Sequence, residues 1–393
     1  MRPLHSRRQV LAGLAALAAA AAFPAFPALA AGAAPRHAQG CSAAFDAQGR
    51  LWVAFADHGG IVLQWSADTG KTWSPARQIL PAPESVAANG ESRPKIAFGP
   101  AGQIYVSYTA AMAKPHTGNI RFVRSTDGGH TFSAPFTVQS DRGVTAHSFD
   151  AMQVDQQGRI FIAWLDKRDQ DAARAAARQY RGLAIYYAVS TDDGATFGPD
   201  TKLADHTCEC CRIAIAADSG GRVAAMWRHI YEPNIRDHAM AWLDPAGTPG
   251  TVLRASEDGW KIDACPHHGP SFSFDGQGTR HQAWFSAAGE DGGLFYAAGS
   301  GKPVRIGGPQ AGNAEVAASG KRVTVAWKEF DGSSTYVFAR ISEDGGATWS
   351  EHKVASTAAG SDHPHLAQHR GAAWLVWRTA DEGFVIRNLE PKT

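Results

Sequence analysis

Ser66-x-Asp68-x-Gly70-x-Thr72-Trp73 is a pattern that returns three more times in the same register. The copies are Ser125/Asp127/Gly129/Thr131/Phe132, Ser190/Asp192/Gly194/Thr196/Phe197 and Ser342/Asp344/Gly346/Thr348/Trp349. Each residue type has a mechanical reason to be there. The Asp carboxylate accepts backbone N–H groups across a tight turn, Gly takes a positive-φ position, and the aromatic plugs an edge. A turn of this kind is structural, so function has to come from other parts of each repeat.

Working outward from these turns, a second element recurs in step with them. It is an apolar stretch ending in an aromatic residue: Phe55, Tyr108, Trp164, Trp227, Trp284, Trp327 and Trp377, at gaps of 43 to 63 residues. Short runs of apolar and aromatic residues bounded by Gly-rich turns read as buried strands. Seven copies in order, each long enough for several strands, predict an all-β propeller of seven four-stranded antiparallel blades. Six blades plus an appendage is the competing count. The 152 residues between Asp192 and Asp344 hold two blades whose turns have decayed, one near Asp244–Thr248. The last repeat shows only three strands, and the segment just after residue 30 is expected to supply its fourth.

The four turns are Asp-boxes, and on them the chain resembles the Asp-box (BNR-repeat) sialidase-like β-propellers over nearly all of its length past residue 30. Sialidases of that superfamily have six blades. The resemblance implies a sugar-cleaving site built from an arginine triad, a tyrosine nucleophile polarised by a glutamate, and an aspartic acid. Arg93, Arg228 and Arg378 are the candidate carboxylate grip, with Arg212 and Arg236 nearby in the same class, while Asp166 and Glu315 are the candidate carboxylates. The set is incomplete: Cys41-Ser42-Ala43 stands where the first-blade Arg-Ile-Pro motif belongs, and no tyrosine marks the inner strands of the last blades.

Composition narrows the classes. The 393 residues carry 38 Lys+Arg against 37 Asp+Glu, a formal charge of +1. That balance excludes holding nucleic acid or an anionic membrane by bulk charge. Five cysteines exclude a disulfide-dense scaffold, and past the N-terminal region no apolar run reaches the roughly 18–20 residues of a membrane span. Residues 1–30 read as an export signal, with Ser6-Arg7-Arg8-x-Val10-Leu11 resembling a twin-arginine signal and Ala28-x-Ala30 a cleavage site. A periplasmic or secreted protein, spanning 31–393 as one propeller, is the expectation. The oligomeric state is not written in the sequence.

In a propeller the innermost strands begin near the axis, so residues at their entrances converge. All five cysteines fall there: Cys41, Cys208, Cys210, Cys211 and Cys265. So do His147, His267, His268, His363 and His365. Thiolate and imidazole together suit a transition metal, copper favoured and zinc second. With strand alternation, Cys208 and Cys210 share a face and Cys211 points away. The expected ligand set is Cys208, Cys210, Cys211 and Cys265 with His267 or His268, completed by His147, His363 or Cys41. A disulfide is the bland alternative. A short helix is expected in the Ala/Arg-rich stretch 171–180. Three functions compete: exported metal handling or redox chemistry, an exo-glycosidase acting on acidic sugars, and a non-catalytic glycan or small-molecule binder with a structural disulfide.

Overall fold

The computed structural model describes residues 39–290 and 292–390. The export signal and the segment expected to complete the last blade lie outside them. The described residues form seven antiparallel sheets, each a simple meander. They cover 41–78, 95–137, 147–207, 214–254, 271–307, 311–357 and 365–388; six have four strands and the last has three. The first strands are Cys41–Phe45, Lys95–Phe98, His147–Val154, Ala214–Ala217, Ser271–Phe274, Ala311–Ser319 and His365–His369. Each packs against the first strand of the next sheet, and the last packs on the first, so the ring closes around an axis. The count is seven, as the repeat predicts.

All seven aromatics of the repeat sit on second strands, at the fifth or sixth position, and all are buried. Burial of an indole is favourable only if its N–H finds an acceptor. Trp164, Trp284 and Trp327 donate to Asp166, Asp258 and Glu329 at 2.7–2.8 Å, and Trp377 donates to the Asp362 carbonyl. The core is therefore a set of inter-blade layers, each strand face buried against its neighbour.

Because each sheet runs down and back, the start of the first strand and the end of the second share one face: Cys41 pairs with Phe55, and His147 with Asp166. The Asp-boxes follow the third strands and lie on the opposite face. Their geometry follows the predicted chemistry. In the first, Thr72 N–H and hydroxyl bond Asp68 at 2.8 and 2.7 Å, and Gly70 N–H bonds the Ser66 hydroxyl at 2.7 Å, with Gly70 at φ 94°. The other three boxes repeat these contacts.

Those hydrogen bonds favour the ionised carboxylate. Thr72 and Ser66 hold Asp68 at about 2, and Thr348 and Ser342 hold Asp344 at about 2, against an ordinary 3.8. The folded value lies below the unfolded one, so this stabilisation is complete above about 3.8 and is lost as pH falls toward 2. Urea midpoints should fall across that window, and the fall should be shallower in a Thr72→Val/Thr348→Val variant. Identical slopes for the two proteins would remove the boxes as a source of acid lability.

The helix in the third blade spans Arg168–Ala175, starting and ending earlier than the sequence suggests. Acidic Asp169 and Asp171 fall in its first turn, where the helix dipole favours them.

Candidate functional site

The entrance face carries two separate constellations. The first is at the axis. The connection between the first and second blades reaches inward and places Glu91, buried, at the centre of the mouth. One Glu91 oxygen accepts the backbone N–H of Arg212 at 2.8 Å and of Gly269 at 3.2 Å; the other accepts Asn313 Nδ2 at 3.1 Å and lies 3.5 Å from His363 Nδ1. One carboxylate thus ties the entrances of the fourth, fifth and sixth blades and faces that of the seventh. Beside it, Asp362 accepts the Cys41 N–H at 2.9 Å and Arg93 Nη1 at 3.1 Å, joining the last entrance to the first two.

Around these acids stand Arg93, Arg212, Lys95 and Lys328. Burial, then Arg93 and Arg212, bring Lys95 down to about 8, and burial also lowers Lys328. His268 and His363 complete the mouth. Burial, then Arg228, Lys328 and Arg212, push His268 down to about 4; burial, then Lys328, Arg93 and Arg212, put His363 well below its ordinary value. Both imidazoles are neutral at pH 7. The backbone makes room for them: a side chain at Gly90 would collide with the His363 ring, and one at Gly312 with the His268 ring. Three buried nitrogens here have no hydrogen-bond partner among the described residues: Arg212 Nη1, His268 Nδ1 and His363 Nδ1, the last facing Glu91 at 3.5 Å.

Arg93 and Arg228 bond different acceptors. Arg93 bonds Asp362, the Cys41 carbonyl and the Gly90 carbonyl. Arg228 bonds the carbonyls of Arg236, His268 and Phe285. The Arg378 guanidinium lies over the Phe55 ring at 4.2 Å. Glu315 pairs with His365 at 3.0 Å; although burial raises it, His365, Arg212 and Arg93 hold it at about 2. Asp166 belongs to a different network, accepting the Trp164 indole and Arg168 and lying 3.6 Å from His147 Nε2, which is 3.1 Å from Asp141.

The second constellation is the cysteine cluster. Thr207 ends a strand and Ala214 begins the next, and residues 208–211 between them form a turn. The expected strand alternation therefore does not apply. Cys211 turns toward Cys208, whose Sγ is 3.7 Å from the Sγ of both Cys210 and Cys211, and all three thiols are buried. Hydrogen bonds from Cys210 and Cys211 lower the Cys208 thiol and leave the other two raised. Cys265 is exposed and outside this group. Cys41 is buried at the axis, where burial and Asp362 raise its thiol. His268 lies at the mouth, the His267 side chain is exposed, and among the described residues no histidine groups with the three thiols. A groove of about 720 Å³ lined by Arg174, Arg178, Arg181 and His206 adjoins a second cavity of about 380 Å³ lined by Arg236, Glu209 and Cys265. Gln170, Tyr180 and Arg181 line both.

Glu91 and Lys328 escaped the sequence reading. Lys328 had a signal: it follows Trp327 as Arg228 follows Trp227 and Arg378 follows Trp377. Glu91 lies in a non-repeating connection and had none.

No family model matches the chain, and no curated protein matches it. Solved structures do. A PL25 polysaccharide lyase, an ulvan lyase bound to -[GlcA(1-4)Rha3S]-, aligns with TM-score 0.56 at 12% identity over 91% of this chain and 96% of the lyase. The Hadza microbial sialidase Hz136 aligns with TM-score 0.51 at 12% identity over 86% of this chain and 73% of the sialidase. No described helix is long and apolar enough to cross a membrane. The fold of this chain is a seven-bladed β-propeller, similar to the folds of a polysaccharide lyase and a sialidase.

Proposed function

We propose that the protein is a carbohydrate-active propeller that takes an acidic saccharide at the axial mouth and cleaves it by β-elimination. The observation that carries this is a pair of buried nitrogens in one cationic mouth, Arg212 Nη1 and His268 Nδ1, that have no hydrogen-bond partner among the described residues, with His363 and Lys328 beside them. Buried polar atoms in folded proteins are almost always paired, so the unpaired Arg212 N–H, which can only donate, calls for an anion. A planar guanidinium suits a carboxylate.

The choice of chemistry follows from which groups are free to move protons. Hydrolysis of a glycoside needs a carboxylic acid that protonates the leaving oxygen. The mouth carboxylates are committed: Asp362 to Arg93 and the Cys41 N–H, Glu91 to Arg212, Gly269 and Asn313, and Glu315 to His365 with its value at about 2. Neutral imidazoles, by contrast, accept protons. With Arg212 and Lys328 neutralising a uronate carboxylate, an imidazole removes the proton α to it. The electron pair forms the ring double bond, the glycosidic C–O bond at the β carbon breaks, and the imidazolium returns its proton to the leaving oxygen. The PL25 neighbour, a lyase bound to a glucuronate-containing saccharide, supports this reading, and the sialidase neighbour supports an acidic sugar.

The test is a panel of polyuronates and sialosides, read by ultraviolet absorbance of unsaturated uronate and by new reducing ends. Both signals together are expected. Reducing ends or free sialic acid without the absorbance would assign hydrolysis, and no turnover with no binding would sink the reading. With His268 as base, kcat/KM should keep its plateau well below pH 6.5 and bend only near 4. An acid limb at 6.5 would point to an ordinary, solvent-exposed histidine instead.

A further inference from the structure

We propose that Cys208, Cys210 and Cys211 form a three-thiolate site for a single cuprous ion. The site is separate from the axial mouth and does not depend on the saccharide reading. A metal–sulfur bond of about 2.3 Å sets sulfurs roughly 3.7–4.0 Å apart in tetrahedral or trigonal arrangement. The observed separations of 3.7 Å from Cys208 to both partners fit that spacing, whereas a disulfide needs about 2.05 Å. All three Sγ atoms lie within 4.8 Å of one another.

The donor set selects the ion. Structural zinc takes four ligands, and among the described residues no histidine, carboxylate or fourth cysteine joins these sulfurs. Thiolates in a low-coordinate, dry site favour Cu(I). Charge agrees with the choice. Three thiolates with one monovalent cation carry two negative charges, and the Arg236 guanidinium faces them, with Nη1 3.4 Å from Cys208 Sγ. Arg236, which contacts Cys208, also lines the cavity of about 380 Å³ together with Glu209 and the exposed Cys265. Binding displaces the thiol protons, so affinity should fall with pH.

The experiment adds Cu(I) anaerobically to reduced full-length protein in competition with a chromophoric cuprous chelator. One ion per chain is expected, with a thiolate-to-copper charge-transfer band and a raised melting temperature. Cys210→Ser should weaken binding by about a hundredfold or more, beyond the 10–100-fold typical of groups that only support a ligand. Cys265→Ser and His267→Ala should leave it unchanged. X-ray absorption on the wild-type protein, which needs no variant to fold, should show three sulfurs at about 2.3 Å and no imidazole. Wild-type affinity no higher than that of Cys210→Ser, imidazole in the coordination shell, or tighter four-coordinate zinc would each overturn the site. So would a disulfide between any two of these cysteines in protein isolated from its own compartment.

Discussion

Asp362→Ala should lower the stability of the propeller by about 3–5 kcal/mol, the cost of removing one partner from a buried ion pair. Asp362 is 2% exposed and Arg93 5% exposed, so neither charge is relieved by water. One oxygen of Asp362 accepts both Arg93 Nη1 and the Cys41 N–H, and the other accepts the His363 N–H at 2.7 Å. These contacts hold the seventh entrance to the first two at the place where the described last blade has three strands. Substitution leaves a buried guanidinium without its ion-pair partner and two backbone donors unpaired. The urea midpoint should drop with the m-value nearly unchanged. Asp362→Asn, which keeps an acceptor and loses the charge, should fall between. The double variant Arg93→Met/Asp362→Leu should lose less than the sum of its singles, because no isolated charge remains. A loss under about 1 kcal/mol for Asp362→Ala would mean that water enters the mouth and screens the pair.

The fold was legible because a propeller repeats its chemistry. Seven buried aromatics on equivalent strands and four Asp-boxes mark the blades without any long-range information. A further repeat, at the hairpin joining first and second strands, went unread. Asp46, Asp155, Asp218 and Asp275 each accept backbone N–H groups two and four residues on, as in Asp46 with Gln48 and Arg50. Its glycines at 49, 158, 221 and 278 all have positive φ. The entrances were also legible as a class, since every first strand starts on one face.

Which entrance residues meet was not legible. Period-two alternation assumed a strand through Cys211, but the strand ends at Thr207 and the turn brings the third thiol back to the first. Cys265 and His267 are two residues apart, yet the first is exposed and the second offers its carbonyl to Asn313. Glu91 meets partners 121, 178 and 222 residues away, a set that ring closure alone creates.

Arg212→Ala should lower kcat/KM for an acidic saccharide by about two to three orders of magnitude, the usual cost of removing one preorganised donor to a developing anion. The guanidinium is anchored on one side, with Nε donating to the Pro270 carbonyl at 3.3 Å and Nη2 to the Ala314 carbonyl, while Nη1 is left open. Such anchoring fixes the open donor before substrate arrives, so little reorganisation is needed in the transition state. Because Arg212 also braces the fourth, fifth and sixth entrances, loss of activity alone would not separate gripping from bracing. The methyl ester of the same saccharide does, since esterification removes the carboxylate charge and leaves its shape. Wild-type protein should bind the acid far better than the ester, and Arg212→Ala should bind both alike. Arg212→Lys, which keeps charge and loses the fork, should recover part of that preference. Equal losses on acid and ester would make Arg212 a brace, leaving the carboxylate to Lys328 and the two imidazoles.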